Sequence, residues 1–283
     1  MIGSNVKIHQ LTKYGDNLSA EDNVILGKPF TANKLDQLII GNDCTFKTGA
    51  IIYLGSEFDS NFIAEEYVII YPNVKIGKNV TIGANSIIGV PYKHPENKVT
   101  LIGEGSTIRS QSVIYAGIQI GKNFNGGHGV KIREFTSIGD NSQVGTLSQI
   151  EGYSKIGNHV KLHTNVHVGQ FSVVEDHVFI APGTVLTNTL HPLCPRVKEC
   201  IKGPTIRAHV KIGSNVTVSP GIEIKENSVI GSGTNVIKDV PSNSVVVGNP
   251  GKVIKNIYEL TCPLNLIEKP YSLENNNITD VEE

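Results

Sequence analysis

The segment Leu162-His163-Thr164-Asn165-Val166-His167 sets two imidazoles, a hydroxyl and a carboxamide within six residues. An imidazole takes or gives a proton near neutral pH, and a hydroxyl and an amide beside it can hold a polar substrate. The bland alternative for His163 is an ordinary exposed corner residue. His128 lies in Asn125-Gly126-Gly127-His128-Gly129, where the glycines either admit a ligand to the backbone or mark a bulge. His159 and His177 each follow an Asn or Asp at a turn and read as solvated. His191, Cys194 and Cys200 share one segment, so a zinc site is conceivable if Cys262 or another group completes it. There is no C-x-x-C, and the spacing fits no common zinc motif; free thiols are the alternative.

A six-residue beat must position these groups. It runs through Ile102, Ile108, Ile114 and Ile120, then from Ile132 through Val144, Leu162 and Ile180 to Leu186, with only Gly126 breaking the count. Earlier it includes Ile70, Ile76, Ile82 and Ile88, and later Ile206, Ile212, Val218, Ile224, Ile230 and Val236. A helix needs a period near 3.6 and a plain strand a period of 2. Hexapeptide arrays mark parallel β-helices. Each hexad supplies a short strand and a corner, and three hexads close a coil. Small residues after the aliphatic position, such as Gly121, Gly139, Gly145 and Gly157, are expected to permit the tight corners. Stacking the hexads eighteen apart gives a column Gly127, Gly145, His163, Ala181 and another Arg133, Glu151, Gly169, Thr187. Small neighbours above and below His163 would leave a groove and expose backbone N–H groups, which suits an oxyanion.

Phase breaks locate insertions. Fourteen residues separate Ile88 from Ile102, and twenty separate Leu186 from Ile206. Prolines exclude both surplus segments from the ladder, so loops are expected at about 90–98 and 188–205. Residues 1–36 read as an N-terminal cap with irregular repeats, 37–255 as the β-helix, and 256–283 as an extension. Ile257, Leu260, Leu264 and Leu266 could pack on its end, with the polar tail frayed. The net charge of −1 over 283 residues argues against a nucleic-acid partner. No apolar run is long enough to span a bilayer. No leader-like segment opens the chain, so a cytoplasmic protein is expected.

Several segments carry a resemblance. They are Gly127-His128-Gly129-Val130-Lys131-Ile132-Arg133-Glu134, Ile150-Glu151-Gly152, Leu162 to Val166, Phe179-Ile180-Ala181-Pro182-Gly183 through Leu186-Thr187-Asn188, and Lys202-Gly203-Pro204-Thr205-Ile206. With the repeat, they resemble the left-handed β-helix hexapeptide acyltransferases, and within these the nucleotide-sugar N-acyltransferases acting on dTDP-3-amino-3,6-dideoxyhexoses or their 4-amino relatives. The ending Gly248-Asn249-Pro250-Gly251-Lys252 is similar to the family's Gly-x-Pro-Ala-Lys, with Gly251 replacing alanine. Gly152 departs from relatives that carry a histidine there.

The resemblance implies an all-β, left-handed parallel β-helix that forms a homotrimer. It implies acetyl-CoA or another acyl-CoA as co-substrate, a nucleotide sugar as acceptor, and no metal. It assigns His163 as base or orienting partner for the amine, with Asn165 and Thr164 on the sugar. The backbone of Ala181 or Gly183 would meet the oxyanion. Glu134 and Glu151 would meet hydroxyls or the amine, with His128, Arg133, Thr187 and Asn188 also on the acceptor. Lys252 and Lys255 would meet the CoA phosphates. Competing readings are a 4-amino-sugar N-acyltransferase using a longer acyl-CoA, an O-acetyltransferase on a small hydroxyl acceptor, a zinc carbonic anhydrase through His128, His163 and His167, and a structural scaffold.

Overall fold

The computed structural model describes residues 1–30, 36–92 and 99–271. Most of the first expected loop (93–98) and the expected frayed tail lie outside the described residues. The chain forms two compact units, Met1–Tyr153 and Ser154–Glu283. Each is a left-handed parallel β-helix of very short strands on three faces.

The aliphatic beat is the strand register. In the first unit Ile52, Ile70, Ile88, Ile114, Ile132 and Ile150 pair in order on one face. Phe58, Ile76, Ile102, Ile120 and Ile138 do so on the second. In the second unit the corresponding series are Leu162, Ile180, Ile212, Ile230 and Val246, and Val168, Leu186, Val218 and Val236. All of these side chains are buried. Each removes apolar surface worth roughly 1.5–3 kcal/mol, so the column of one residue per coil is the core.

The corners differ from the expectation. Gly121 and Gly157 are not among the residues with positive φ. The left-handed residue stands three places after the aliphatic one, as in Asn123 (φ 53°) and His159 (φ 53°). It recurs at every sixth position, for example Asn61, Tyr67, Asn73, Asn79 and Asn85. Asparagine tolerates this conformation better than most side chains, and it links coils: Asn61 Nδ2 donates to Asn79 Oδ1 at 3.0 Å, and Asn123 to Asn141 at 3.0 Å. Glycine after the aliphatic position answers a different demand. A Cβ on Gly157 would lie 2.7 Å from the Asp176 nitrogen and 2.8 Å from the Glu175 carbonyl carbon. The approach lets Asp176 Oδ1 accept from the Asn158 N–H at 2.8 Å.

The break at Gly126 is not a bulge. Asn125–Gly126 stays in register with Thr107–Ile108 and Gln143–Val144, and an added Cβ would lie 3.0 Å from the Phe124 ring, which fills the space instead. Residues 1–30, expected as an irregular cap, carry strands in the same parallel ladders: Ile8 pairs with Leu26, Tyr14 with Ile40 and Ala20 with Phe46. The pairing distance is eighteen in the first case and twenty-six in the other two, because eight extra residues follow Lys28; that insertion disguised the beat. At the other end the parallel ladder stops at Ser244–Val247, and Lys252–Asn256 returns antiparallel to it. Beyond it Ile257 is buried while Leu264 and Leu266 are exposed.

Replacing Gly157 by alanine forces a methyl group into the backbone of the next coil. It should cost about 1–3 kcal/mol, read as a lower denaturant midpoint at unchanged m-value.

Candidate active site

In the second unit the corner at residues 163–165 lies one coil from that at 181–183. The His163 N–H donates to Ile180 O at 2.8 Å, and the Gly183 N–H donates to Thr164 O at 3.2 Å. His163 is half-buried, while Thr164 and Asn165 are exposed. Asn165 occupies the left-handed position with φ 58°, which turns its carboxamide outward from the coil. The Thr164 N–H donates to His163 Nδ1 at 2.8 Å. With Nδ1 accepting, the neutral ring carries its proton on Nε2.

The backbone assignment needs correcting. The Ala181 N–H, expected to meet an oxyanion, donates to Ile212 O at 2.9 Å, and the Gly183 N–H is likewise committed to Thr164. The ladder consumes both. Thr187 donates its hydroxyl to Val218 O at 2.8 Å, and Asn188 Oδ1 accepts from the Thr189 hydroxyl at 3.1 Å. Asn188 O and the Lys202 N–H, 2.9 Å apart, close the neck of the second insertion. That loop carries the short helix Val197–Cys200 and projects His191, Pro192 and Leu193 into solvent. Cys194 and Cys200 are free thiols. Among the described residues no group of three His, Cys, Asp or Glu side chains could hold a metal ion. Lys252 and Lys255 are exposed on the antiparallel strand Lys252–Asn256.

In the first unit Arg133 gathers the other predicted residues. Its Nε and NH2 contact the two Glu134 oxygens at 3.0 Å each, and NH1 contacts Glu151 Oε2 at 3.1 Å. Tyr92 and Tyr115 hold its guanidinium carbon 5.4 and 5.6 Å from their ring centroids. Glu134, expected to meet hydroxyls or an amine, is only 2% exposed, with both oxygens engaged. It is an internal counter-ion rather than a substrate contact. Gly152 makes room for it, since a Cβ there would lie 3.0 Å from Glu134 Oε1. His128 is exposed, and its carbonyl accepts from the Leu147 N–H at 2.9 Å.

The tyrosines escaped the sequence reading, although Tyr53 and Tyr71, and Tyr115 and Arg133, stand eighteen residues apart. A column count that included aromatic residues would have found Tyr115 but not Tyr92, which stands 23 residues before it. Replacing Arg133 by methionine strands a carboxylate inside the corner. It should cost about 2–4 kcal/mol, less than for a fully buried pair because Arg133 is partly exposed. In a double-mutant cycle, adding Glu134→Gln should recover part of that loss; additive effects would mean that the two side chains do not interact.

The family described as bacterial transferase hexapeptide (six repeats) matches residues 153–188, and the hexapeptide repeat of succinyl-transferase matches 73–91 and 206–238. Galactoside O-acetyltransferase of Escherichia coli (strain K12) is 38% identical over 112 residues, 33% of this chain and 55% of that protein. The 2,3,4,5-tetrahydropyridine-2,6-dicarboxylate N-acetyltransferase of Clostridium perfringens is 37% identical over 84 residues, 30% of this chain and 33% of that protein. A hexapeptide-repeat acetyltransferase of Vibrio cholerae, solved with acetyl coenzyme A, is 29% identical with a TM-score of 0.39, covering 42% of this chain and 69% of that one. The chain spans about half or less of the length of the curated relatives it matches. Over these three segments the chain is similar to the hexapeptide repeats of bacterial transferases.

Proposed function

We propose that the protein is an acyl-CoA-dependent N-acyltransferase that acylates the amino group of a nucleotide-linked amino sugar, a dTDP-3-amino-3,6-dideoxyhexose by preference, and that it works as a homotrimer. The observation that carries the reading is the His163–Thr164–Asn165 corner inside the segment matched by the transferase repeat. Relatives named as O- and N-acetyltransferases support the acyl-transfer class.

The acceptor nitrogen attacks the thioester carbonyl carbon, and the C–S bond breaks as the amide C–N bond forms. The nitrogen loses one proton and the departing thiolate gains one, so the step needs a proton path but no net base. His163 fits such a reaction as a donor. The imidazole would meet the developing oxyanion, with Nδ1 fixed by Thr164. Asn165 would bond a sugar hydroxyl. Positioning of this kind can supply much of the acceleration. A hydroxyl acceptor makes a harder demand, because it must lose its proton before or during attack. The similarity to a galactoside O-acetyltransferase nevertheless keeps a sugar hydroxyl as the second reading.

Thiol release from acetyl-CoA, measured with dTDP-linked 3-amino and 4-amino sugars and with plain glycosides, separates the two. The expected result is turnover with an amino sugar and none with the glycosides; turnover with glycosides alone establishes the O-acyl reading. His163→Ala should lower kcat/KM for the amine by roughly tenfold to a hundredfold. Unchanged kcat and KM for the sugar would remove His163 from the site. His191→Ala, which alters the exposed loop imidazole, is the companion variant. A larger loss there would move the chemistry to the loop.

A further inference from the structure

Three histidines form a continuous stack in the second unit. The ring centroids of His159 and His177 lie 4.8 Å apart at an interplanar angle of 3°, and those of His177 and His209 lie 4.9 Å apart at 4°. All three occupy the left-handed corner position, with φ of 53°, 58° and 59°. The spacing is that of the coils themselves, so each ring covers the next. His177 is 18 residues from His159, but His209 is 32 from His177 because the second insertion intervenes.

The same position often carries asparagine. On the next rungs of this corner Asn227 Nδ2 donates to Asn243 Oδ1 at 2.8 Å and to the Tyr258 hydroxyl at 3.1 Å. An amide ladder of that kind does not titrate. Imidazoles in its place exchange a pH-independent contact for one that holds only while neighbouring rings are not both charged.

Asp176 and Lys211 are charged neighbours of the stack. The Asp176 carboxylate is engaged by Asn158, from its N–H at 2.8 Å and its Nδ2 at 3.3 Å. Lys211 brings an ammonium to the far end of the stack. Its Nζ donates to His209 O at 3.0 Å and lies 5.1 Å from the Tyr271 ring centroid. Burial first, then His177 and Lys211, lower the proton affinity of His209 against the opposing pull of Asp176. A histidine with a depressed folded-state pKa binds fewer protons folded than unfolded. Its contribution to stability is therefore complete above the unfolded value of about 6.5 and is lost as pH falls below it.

We propose that the His159–His177–His209 stack is an acid-sensitive latch: neutral rings hold the corner of the second unit closed, and charging adjacent rings forces the coils apart there. His177, with a ring on each face, is the element on which the response depends.

The test follows thermal unfolding of the full chain at pH 8 and pH 5.5, for wild type and His177→Asn. Asparagine keeps the left-handed conformation. The wild-type midpoint should fall by about 4 °C or more beyond the fall in the variant; equal falls overturn the proposal. Amide exchange gives a second reading on the wild type. The His177 and His209 N–H groups, which donate to Asn158 O and Asp176 O, should lose protection about tenfold at pH 5.5 after correction for intrinsic rates, while the Asn227 amide keeps its own. Uniform protection at both pH values counts against the latch. If His177→Asn does not fold, His159→Asn removes one of the two ring pairs and should abolish about half of the excess fall; no change overturns the proposal.

Discussion

Everything in this protein is built on the distance between one coil and the next. Parallel backbone hydrogen bonds fix that distance near 4.8 Å, and each residue along a column must live with its neighbour at that separation. Aliphatic side chains meet it by packing inward, as in the series from Leu162 to Val246. Glycine meets it where backbone nearly touches backbone, as at Gly157. Asparagine meets it at the left-handed corner, where its amide bonds the asparagine of the adjacent coil. Isolated coils have none of these partners, so stability is a property of neighbours.

The same distance governs charge. A column places like or unlike groups one rung apart whether or not they suit each other. Arg133 and Glu151 are on such rungs, and Glu134 closes the arrangement from the adjacent position, leaving one cation against two carboxylates between aromatic faces. Arg207 repeats the arrangement in the second unit, paired with Glu175 and Glu223. These ion pairs bridge coils, and they do so at corners where a polar side chain can keep partial contact with water. The partly exposed members limit the gain from each pair, while the burial of Glu134 makes its partner costly to lose.

The architecture could be read from the sequence because period six is imposed by the coil; Ile114, Ile132 and Ile150 align on that count alone. The corners were harder to read. Gly121 and Gly157 suggested backbone freedom, yet their cause is a neighbour in the next coil, which no local rule sees. The first coils were concealed by an insertion that changed a pairing distance from eighteen to twenty-six residues. His159 is exposed as expected and stacks on His177, but the ring that completes the stack, His209, lies beyond the loop. Of the site, the polar corner at 163–165 was visible as composition. The Thr164 N–H on His163 Nδ1 and the committed Ala181 N–H depend on atomic positions that residue types do not encode.

The committed N–H groups constrain what chemistry such a scaffold can support. A helix N-terminus or a strained turn can present several unpaired N–H groups to an oxyanion. A β-helix coil spends its own on the next coil: His163, Ala181 and Gly183 each donate to a carbonyl within the second unit. The second insertion does the same inside itself, with Cys194, Val197 and Glu199 donating to His191, Cys194 and Arg196. Charge stabilisation therefore falls to side chains, and these must stand where the coil turns outward. His163 satisfies that condition: its backbone serves the ladder, and its Nδ1 is held by the following residue.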